Sequence, residues 1–286
     1  MRRIIVIGSV NTDLTIETEK FPKEGETVPG SGFFVAQGGK GANQAVAAAR
    51  LGGQVVFCGC VGNDSFGKSA LLSLEQEKID VRHVRSVDAP TGTAVILISN
   101  GNNRIIVDAG ANARLTESDI DSVLADASSG DILLTQLENP IPVIGYGLKR
   151  AKEKGLFVIL NPAPANKSIL PYLDFCDLIA PNETEAEILG GRDFLLQKVP
   201  VVLTTLGEKG FEIATKNSVK TYPCIKVLPV DTTAAGDTLC GGLAAKLAEG
   251  ATVEQAALFG SKAASVACTK KGAQPSIPTF EELISY

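Results

Sequence analysis

The sequence predicts a three-layer α/β/α fold with a mostly parallel central sheet, covered at one edge by a small β-sheet lid. Three observations carry this. From residue 130 onward, strand-length apolar runs alternate with helix-length stretches, a pattern that needs crossover connections and so parallel pairing with helices on both faces. Arg3-Ile4-Ile5-Val6-Ile7-Gly8 is a continuous β-branched run with a glycine stop, which suits a strand buried on both sides. Residues 14–37 and 91–107 break the alternation with alternating polar and apolar positions around turn-rich segments, and are assigned to the lid. The main domain is then 1–13, 38–90 and 108–286.

Composition narrows the classes. At 286 residues, 44% hydrophobic and 21% charged, the chain is an ordinary globular protein near the upper limit for one core. A net charge of −5 argues against a nucleic-acid partner, which needs clustered excess Lys and Arg. An anionic ligand must instead be held by local devices such as helix N-termini. The six cysteines are scattered without C-x-x-C spacing and read as reduced core residues. Ile4 to Gly8 is too short for a signal-peptide core and no run reaches membrane-spanning length, so a cytoplasmic protein without a membrane partner is expected. The single histidine, His83, lies among charged residues and reads as a surface group. This leaves acid–base work to carboxylates.

Ser9-Val10-Asn11-Thr12-Asp13 follows the first strand at the edge where open α/β sheets place ligands. Asn11 and Asp13 are candidates for bonding a polar small molecule, with an Asx turn as the alternative. Thr93–Ser99, the turn Asn100-Gly101-Asn102-Asn103 and Arg104–Val107 read as a hairpin. Gly38-Gly39-Lys40-Gly41-Ala42-Asn43-Gln44 leads into a helix over 45–51, either as a hinge beside a ligand or as a plain glycine turn. Strand 54–61 and helix 69–78 flank Gly62-Asn63-Asp64-Ser65-Phe66-Gly67-Lys68-Ser69, which satisfies the G-x-x-x-x-G-K-S phosphate-loop pattern. A phosphate-loop enzyme also needs a strand ending in Asp for Mg²⁺, whereas the later strands end in Asn161, Thr204-Thr205 or Pro181-Asn182.

Strands at 131–135, 157–160, 178–180 and 199–204, with helices at 142–154 and 252–269, bring three polar loops to one edge. These are Gln136-Leu137-Glu138, Asn161-Pro162-Ala163-Pro164-Ala165 and Pro181-Asn182-Glu183-Thr184-Glu185. A β-like run over 222–230 then precedes Asp231-Thr232-Thr233-Ala234-Ala235-Gly236-Asp237 and a small-residue helix over 238–249. The first turn of a helix has unpaired N–H groups, so residues 234–236 read as an anion hole and Asp237 as a general base beside it. The plainer reading is a first-turn Asp favoured by the macrodipole, with small residues for close packing.

These motifs, with Thr205-Leu206-Gly207-Glu208-Lys209-Gly210 and Lys271-Gly272-Ala273-Gln274-Pro275-Ser276, resemble the ribokinase-like carbohydrate kinase family in order and through nearly the whole chain. The resemblance implies ATP-dependent phosphorylation of the O5 hydroxyl of D-ribose, with Asp237 as base and Ala234, Ala235 and Gly236 as the anion hole. Asn11, Asp13, Gly39, Lys40, Asn43 and Glu138 would hold the sugar. Asn182, Thr205, Gly207, Gly210, Gly236 and Ser261 would border ATP. Asn182 and Glu185 would position Mg²⁺, largely through water, and Asp231, Thr233, Lys270, Gly272 and Ser276 a monovalent cation such as K⁺. The lid would exclude water and form the interface of a homodimer. Between Glu185 and Val199 the chain carries only residues 186–198, where the family carries a further helix. A kinase for 2-deoxyribose or another furanose sugar or nucleoside is the alternative, and a catalytically silent sugar sensor is a third reading.

Overall fold

The computed structural model describes residues 2–286. The chain opens with β1 (Arg3–Ile7), β2 (Asn11–Glu17), β3 (Ser31–Gly38), α1 (Lys40–Arg50), β4 (Gln54–Gly62), α2 (Ser65–Gln76) and β5 (Asp80–Val87). It continues through β6 (Gly92–Ser99), β7 (Asn102–Asp108), α3 (Glu117–Ala125), β8 (Ile132–Thr135), α4 (Ile141–Glu153), β9 (Phe157–Leu160) and β10 (Leu178–Ile179). The last part holds α5 (Glu183–Ile188), α6 (Arg192–Lys198), β11 (Val201–Thr205), β12 (Phe211–Thr215), β13 (Ser218–Tyr222), α7 (Ala235–Ala248), α8 (Val253–Ala267) and α9 (Phe280–Ser285).

Nine strands form the main sheet in the order β13-β12-β11-β10-β9-β8-β1-β4-β5, parallel except for the β11-β12-β13 meander at one edge. Alternation along β1 explains the layers. Ile4 and Val6 enter a core cluster with Val46 and Leu243, from α1 and α7, whereas Ile5 and Ile7 enter a second cluster with Ile144 and Leu148, from α4. A strand buried on both faces must be apolar at every position, as 4–7 is. The lid is a separate four-stranded sheet, β3-β2-β6-β7, and the expected hairpin is its β6–β7 pair.

Several boundaries differ from expectation. Asn11 and Asp13 belong to β2, paired to both β3 and β6, and are not in a turn. Helix α1 begins at Lys40, five residues before the expected start, because Gly39 (φ 90°) reverses the chain directly into it. The run 223–230 is not a strand, since β13 ends at Tyr222 and prolines at 223 and 229 cannot donate to a ladder. His83 lies within edge strand β5, and its Nδ1 meets Ser122 Oγ at 3.1 Å. The short stretch 186–198 still forms the second half of α5 and all of α6, with Leu189 and Leu195 buried.

The phosphate-loop lookalike has a structural occupation. Asp64 caps α2 by accepting from Gly67 N at 2.8 Å, and also accepts from Thr91 N at 2.8 Å and Thr91 Oγ1 at 2.6 Å. Gly62 N donates to Thr91 Oγ1 at 3.0 Å, so the loop is tied to the residue that precedes β6. Its anion is therefore the protein's own carboxylate, set at a root of the lid. Burial works to raise the Asp64 pKa, but the bonds from Thr91 and Gly67 outweigh it and hold it below the usual range. Asp64→Ala is expected to lower stability by about 2–3 kcal/mol near neutral pH, from a lost cap and charged hydrogen bonds. The depressed pKa makes this contribution complete above about pH 4 and lost as pH falls further. Denaturant melts of both proteins at pH 7 and pH 3 check it; an equal deficit at both values would contradict the assignment.

Candidate active site

The loops after β8, β9 and β10 meet the N-terminal ends of α1 and α7 at the carboxyl edge of the sheet. A cleft of about 260 Å³ opens there, lined among others by Lys40, Asn161, Asn182, Glu185 and Asp237. A larger, more open depression of about 620 Å³ lies between Arg3, Asp131 and Glu249 at the far edge, where Arg3 already pairs with Asp131.

Asp237 sits in the first turn of α7, 6% exposed. Its Oδ2 accepts from Asn43 Nδ2 at 3.0 Å and its Oδ1 from Gln44 Nε2 at 2.9 Å, both donors coming from consecutive residues of α1. The helices come this close because Gly241 faces α1, where a Cβ would stand 2.7 Å from the Gln44 carbonyl. Gln44 Nε2 also donates to Asn161 Oδ1 at 3.0 Å, and Gln44 Oε1 accepts from Gln136 Nε2 at 2.6 Å. Asn43 Oδ1 is buried without a hydrogen-bond partner, so an acceptor stands ready beside the carboxylate.

The start of α7 differs from the expected set of three open N–H groups at 234–236. Ala234 caps α7 in the left-handed region (φ 60°), a conformation that costs a non-glycine residue on the order of 1 kcal/mol. Ala235 N donates to Thr232 O at 3.2 Å, so that N–H is engaged. The N–H groups of Gly236 and Asp237 lie in the first turn, without intrahelical acceptors. Nothing stands within 4 Å of where a Gly236 Cβ would be, so the helix start is open on that side.

No lid residue lines this cleft, but Asp13 of the lid is near enough to Asp237 and Glu138 to feel their charge. Asn11 and Asp13 share one face of β2, and their neighbours on β3 and β6 are Gly38, Gly92, Ala36 and Ala94. A Cβ at Gly38 would collide with the Asp13 carboxylate, and one at Gly92 with the amides of Asn11 and Asn112. Asn112 accepts from Val10 N at 2.9 Å and donates to Val10 O at 3.1 Å and Asn11 Oδ1 at 2.8 Å, fixing where β1 passes into the lid. Glu138 Oε2 accepts from Lys40 N at 3.0 Å and Ser9 Oγ at 2.6 Å, so it also satisfies the start of α1. Burial, with Glu138 and Asp237 nearby, pushes the Asp13 carboxyl up to about 7. Burial opposes the Lys40 ammonium, but Asp237, Glu138 and Glu185 together hold its pKa above the ordinary lysine range.

Asn182 and Glu185 form a capping box at the start of α5, with Asn182 Oδ1 accepting from Glu185 N at 2.8 Å and Glu185 Oε2 from Asn182 N at 2.9 Å. Burial raises the Glu185 pKa against the bond from Asn182 and the charge of Lys40. Thr205 lines the same cleft; Gly207, Gly210 and Ser261 lie outside its lining. Asp231 joins Thr233 to the 272 loop, accepting from Thr233 N at 2.9 Å and Gly272 N at 2.9 Å. Ser276 Oγ bonds Ala273 O at 2.8 Å and the Lys270 ammonium pairs with Glu282, so neither side chain contacts Asp231. The sequence reading assigned no role to Gln44, Gln136, Asn161 or Asn112. A glutamine among the alanines of a buried helix face was the one visible signal.

Phosphoryl transfer to a hydroxyl needs positioning and charge stabilisation rather than a covalent relay, and a buried carboxylate beside an open helix start is an arrangement suited to it. Fold and site together define a small-molecule kinase. The chain belongs to the pfkB family of carbohydrate kinases, whose profile matches residues 1–280. The ribokinase of Haemophilus influenzae is 40% identical over 300 residues, covering 100% of this chain and 98% of that protein. The crystal structure of ribokinase from Thermotoga maritima aligns with a TM-score of 0.91 at 38% identity, covering 100% of this chain and 99% of that one. The Arabidopsis thaliana ribokinase complexed with ribose and ATP aligns at 0.88 and 32% identity, covering 99% and 98%.

The raised Asp13 pKa has a consequence for stability. The folded value, about 7, lies above the ordinary aspartate value of 3.8, so folding favours the protonated form; stability falls as pH rises from about 4 to 7 and levels off above. Asp13→Asn removes that penalty. It is expected to stabilise the free protein by about 2 kcal/mol at pH 8, roughly half the full displacement because the lid is partly open to water, with the gain vanishing towards pH 4. Calorimetric melts across this range check it, and a variant no more stable at pH 8 than at pH 4, relative to wild type, would refute it.

Proposed function

We propose that the chain phosphorylates D-ribose at O5 with ATP, giving ribose 5-phosphate. The observation that carries this is the buried Asp237 carboxylate, held by two amides at an open helix start beneath a lid whose small residues leave room around Asn11 and Asp13. The full-length likeness to ribokinases, one of them complexed with ribose and ATP, supports the substrate pair.

Asp237 accepts the proton of the attacking hydroxyl. The open N–H groups of Gly236 and Asp237 at the start of α7 draw charge from the transferring phosphoryl group. Asp13 takes a pair of hydroxyls, since a carboxylate has two acceptor oxygens, while Asn43 Oδ1 and the Lys40 ammonium complete the sugar contacts with Gly39 and Glu138. Asn11 uses Oδ1 on Asn112, which leaves its amide nitrogen to donate. That donor suits a sugar with a 2-hydroxyl and favours ribose over 2-deoxyribose. Thr205, Gly207, Gly210 and Ser261 border the nucleotide.

The oxygen donors at Asn182 and Glu185 fit Mg²⁺, a hard ion that keeps much of its water and needs few protein ligands beside the substrate phosphates. When bound it neutralises phosphate charge. Among the described residues no group of three or more His, Cys, Asp or Glu could hold a metal, which accords with contact through water. Asp231, Thr233, Lys270, Gly272 and Ser276 offer oxygens to a monovalent cation, probed as K⁺, behind the anion hole.

The lid, residues 14–37 and 91–107 with strand ends reaching 11 and 108, closes over the sugar and keeps water from ATP. Its face away from Asn11 and Asp13 exposes Phe33, Val35, Val95 and Ile106, an apolar surface suited to a homodimer. Among the described residues no helix is long and apolar enough to cross a membrane.

ATP-to-ADP turnover with Mg²⁺ and K⁺ against ribose, 2-deoxyribose, fructose and adenosine tests the reading. Ribose is expected to exceed 2-deoxyribose at least about fivefold in kcat/KM, from one unpaired donor at Asn11. Equal turnover of the two pentoses would remove the role of Asn11, and no turnover of any sugar would overturn the kinase reading.

A further inference from the structure

We infer that Gln44 is a positioning residue that fixes the plane of the Asp237 carboxylate for proton acceptance. The inference rests on the reading of Asp237 as the base and deepens it. Gln44 is fully buried on α1 between Asn43 and Ala45, on a helix whose other buried side chains are mostly alanine. Burying an amide costs more than burying a methionine unless its bonds are made, so helix packing alone does not call for this residue.

Both N–H groups of the Gln44 amide are spent, and its oxygen is engaged. One N–H of Nε2 goes to Asp237 Oδ1 and the other to Asn161 Oδ1, while Oε1 accepts from Gln136. The direction of these bonds is set from outside the site. Asn161 Nδ2 donates to the Ala180 carbonyl at 2.9 Å, and a carbonyl can only accept. Asn161 must then turn its oxygen to Gln44, and Gln44 its nitrogen to both Asn161 and Asp237. From the other side Gln136 donates to Gln44, although its own Oε1 is buried without a partner. A backbone carbonyl after β10 thus dictates, through two amides, that an N–H faces the base.

Asn43 and Gln44 together hold both carboxylate oxygens, each by one N–H, so the group cannot rotate about its last torsion without breaking a buried bond. Each oxygen keeps acceptor capacity for a substrate hydroxyl. Neither residue lines the cleft, but Asn43 keeps a buried free acceptor to offer a ligand, whereas the oxygen and both N–H groups of the Gln44 amide are engaged within the protein. Loss of Gln44 therefore misaligns the base without removing a substrate contact, and the cost falls on kcat rather than KM.

The test is steady-state kinetics of Gln44→Met, which keeps the volume and removes the donor. A fall in kcat of about ten- to a hundredfold is expected, with KM for ribose and ATP within about threefold of wild type. Gln136→Met frees Oε1 of Gln44 and is expected to show a smaller fall with the same split, and to add little in the Gln44→Met background. Unchanged kcat in Gln44→Met, or a defect confined to the ribose KM, overturns the inference. If Gln44→Met does not fold, Gln136→Met decides alone, and wild-type kcat there overturns it. Asp237→Asn, measured alongside, separates the two failures. If it retains turnover, the reading of the base fails; if it is inactive while Gln44→Met keeps its kcat, only the role of Gln44 fails.

Discussion

A carboxylate kept almost wholly from water, where two helices start, is the constraint on which much of this structure depends. Such a group is costly to bury unless donors meet it. Helix α1 brings two amides to Asp237, and it can do so only because Gly241 lets α7 approach its backbone. Gly242 does the same on the other side, with a would-be Cβ at 3.0 Å from Gly260 of α8. The close-packed reading of the small residues therefore holds, and it positions the helix start at which the anion hole is proposed.

The lid carries the complementary compromise. Burial, with the charges of Glu138 and Asp237 nearby, raises the Asp13 pKa, so a third negative charge is poorly suited there. Asp64 and Asn112 tie down the lid's roots, at the entry to β6 and at the entry to β2.

Much of this was legible from residue patterns alone. The buried strand at 3–7, the 93–107 hairpin and the three polar loops follow from periodicity and turn chemistry, which are local signals. Asp237 at a glycine-containing helix start was legible because its chemistry is local too. Gln44 was not, because its role depends on Gln136, Asn161 and the Ala180 carbonyl, which tertiary folding alone brings together. The pattern around Asp64 was set aside for want of a strand ending in Asp, and it shows the opposite ambiguity: glycines that suit a phosphate loop equally suit a helix cap tied to Thr91. At 11–13 and 40–44 polar residues masked a strand and a helix, since a ligand-facing element carries polar groups where periodicity expects apolar ones.

The most direct test of the central claim is a crystal structure with ribose and a non-hydrolysable ATP analogue. The account predicts the sugar's O5 within about 3 Å of an Asp237 oxygen, with the terminal phosphate on the open N–H groups at the start of α7. An O5 that instead bonds Asp13 or Glu138, with Asp237 remote from any hydroxyl, would contradict it.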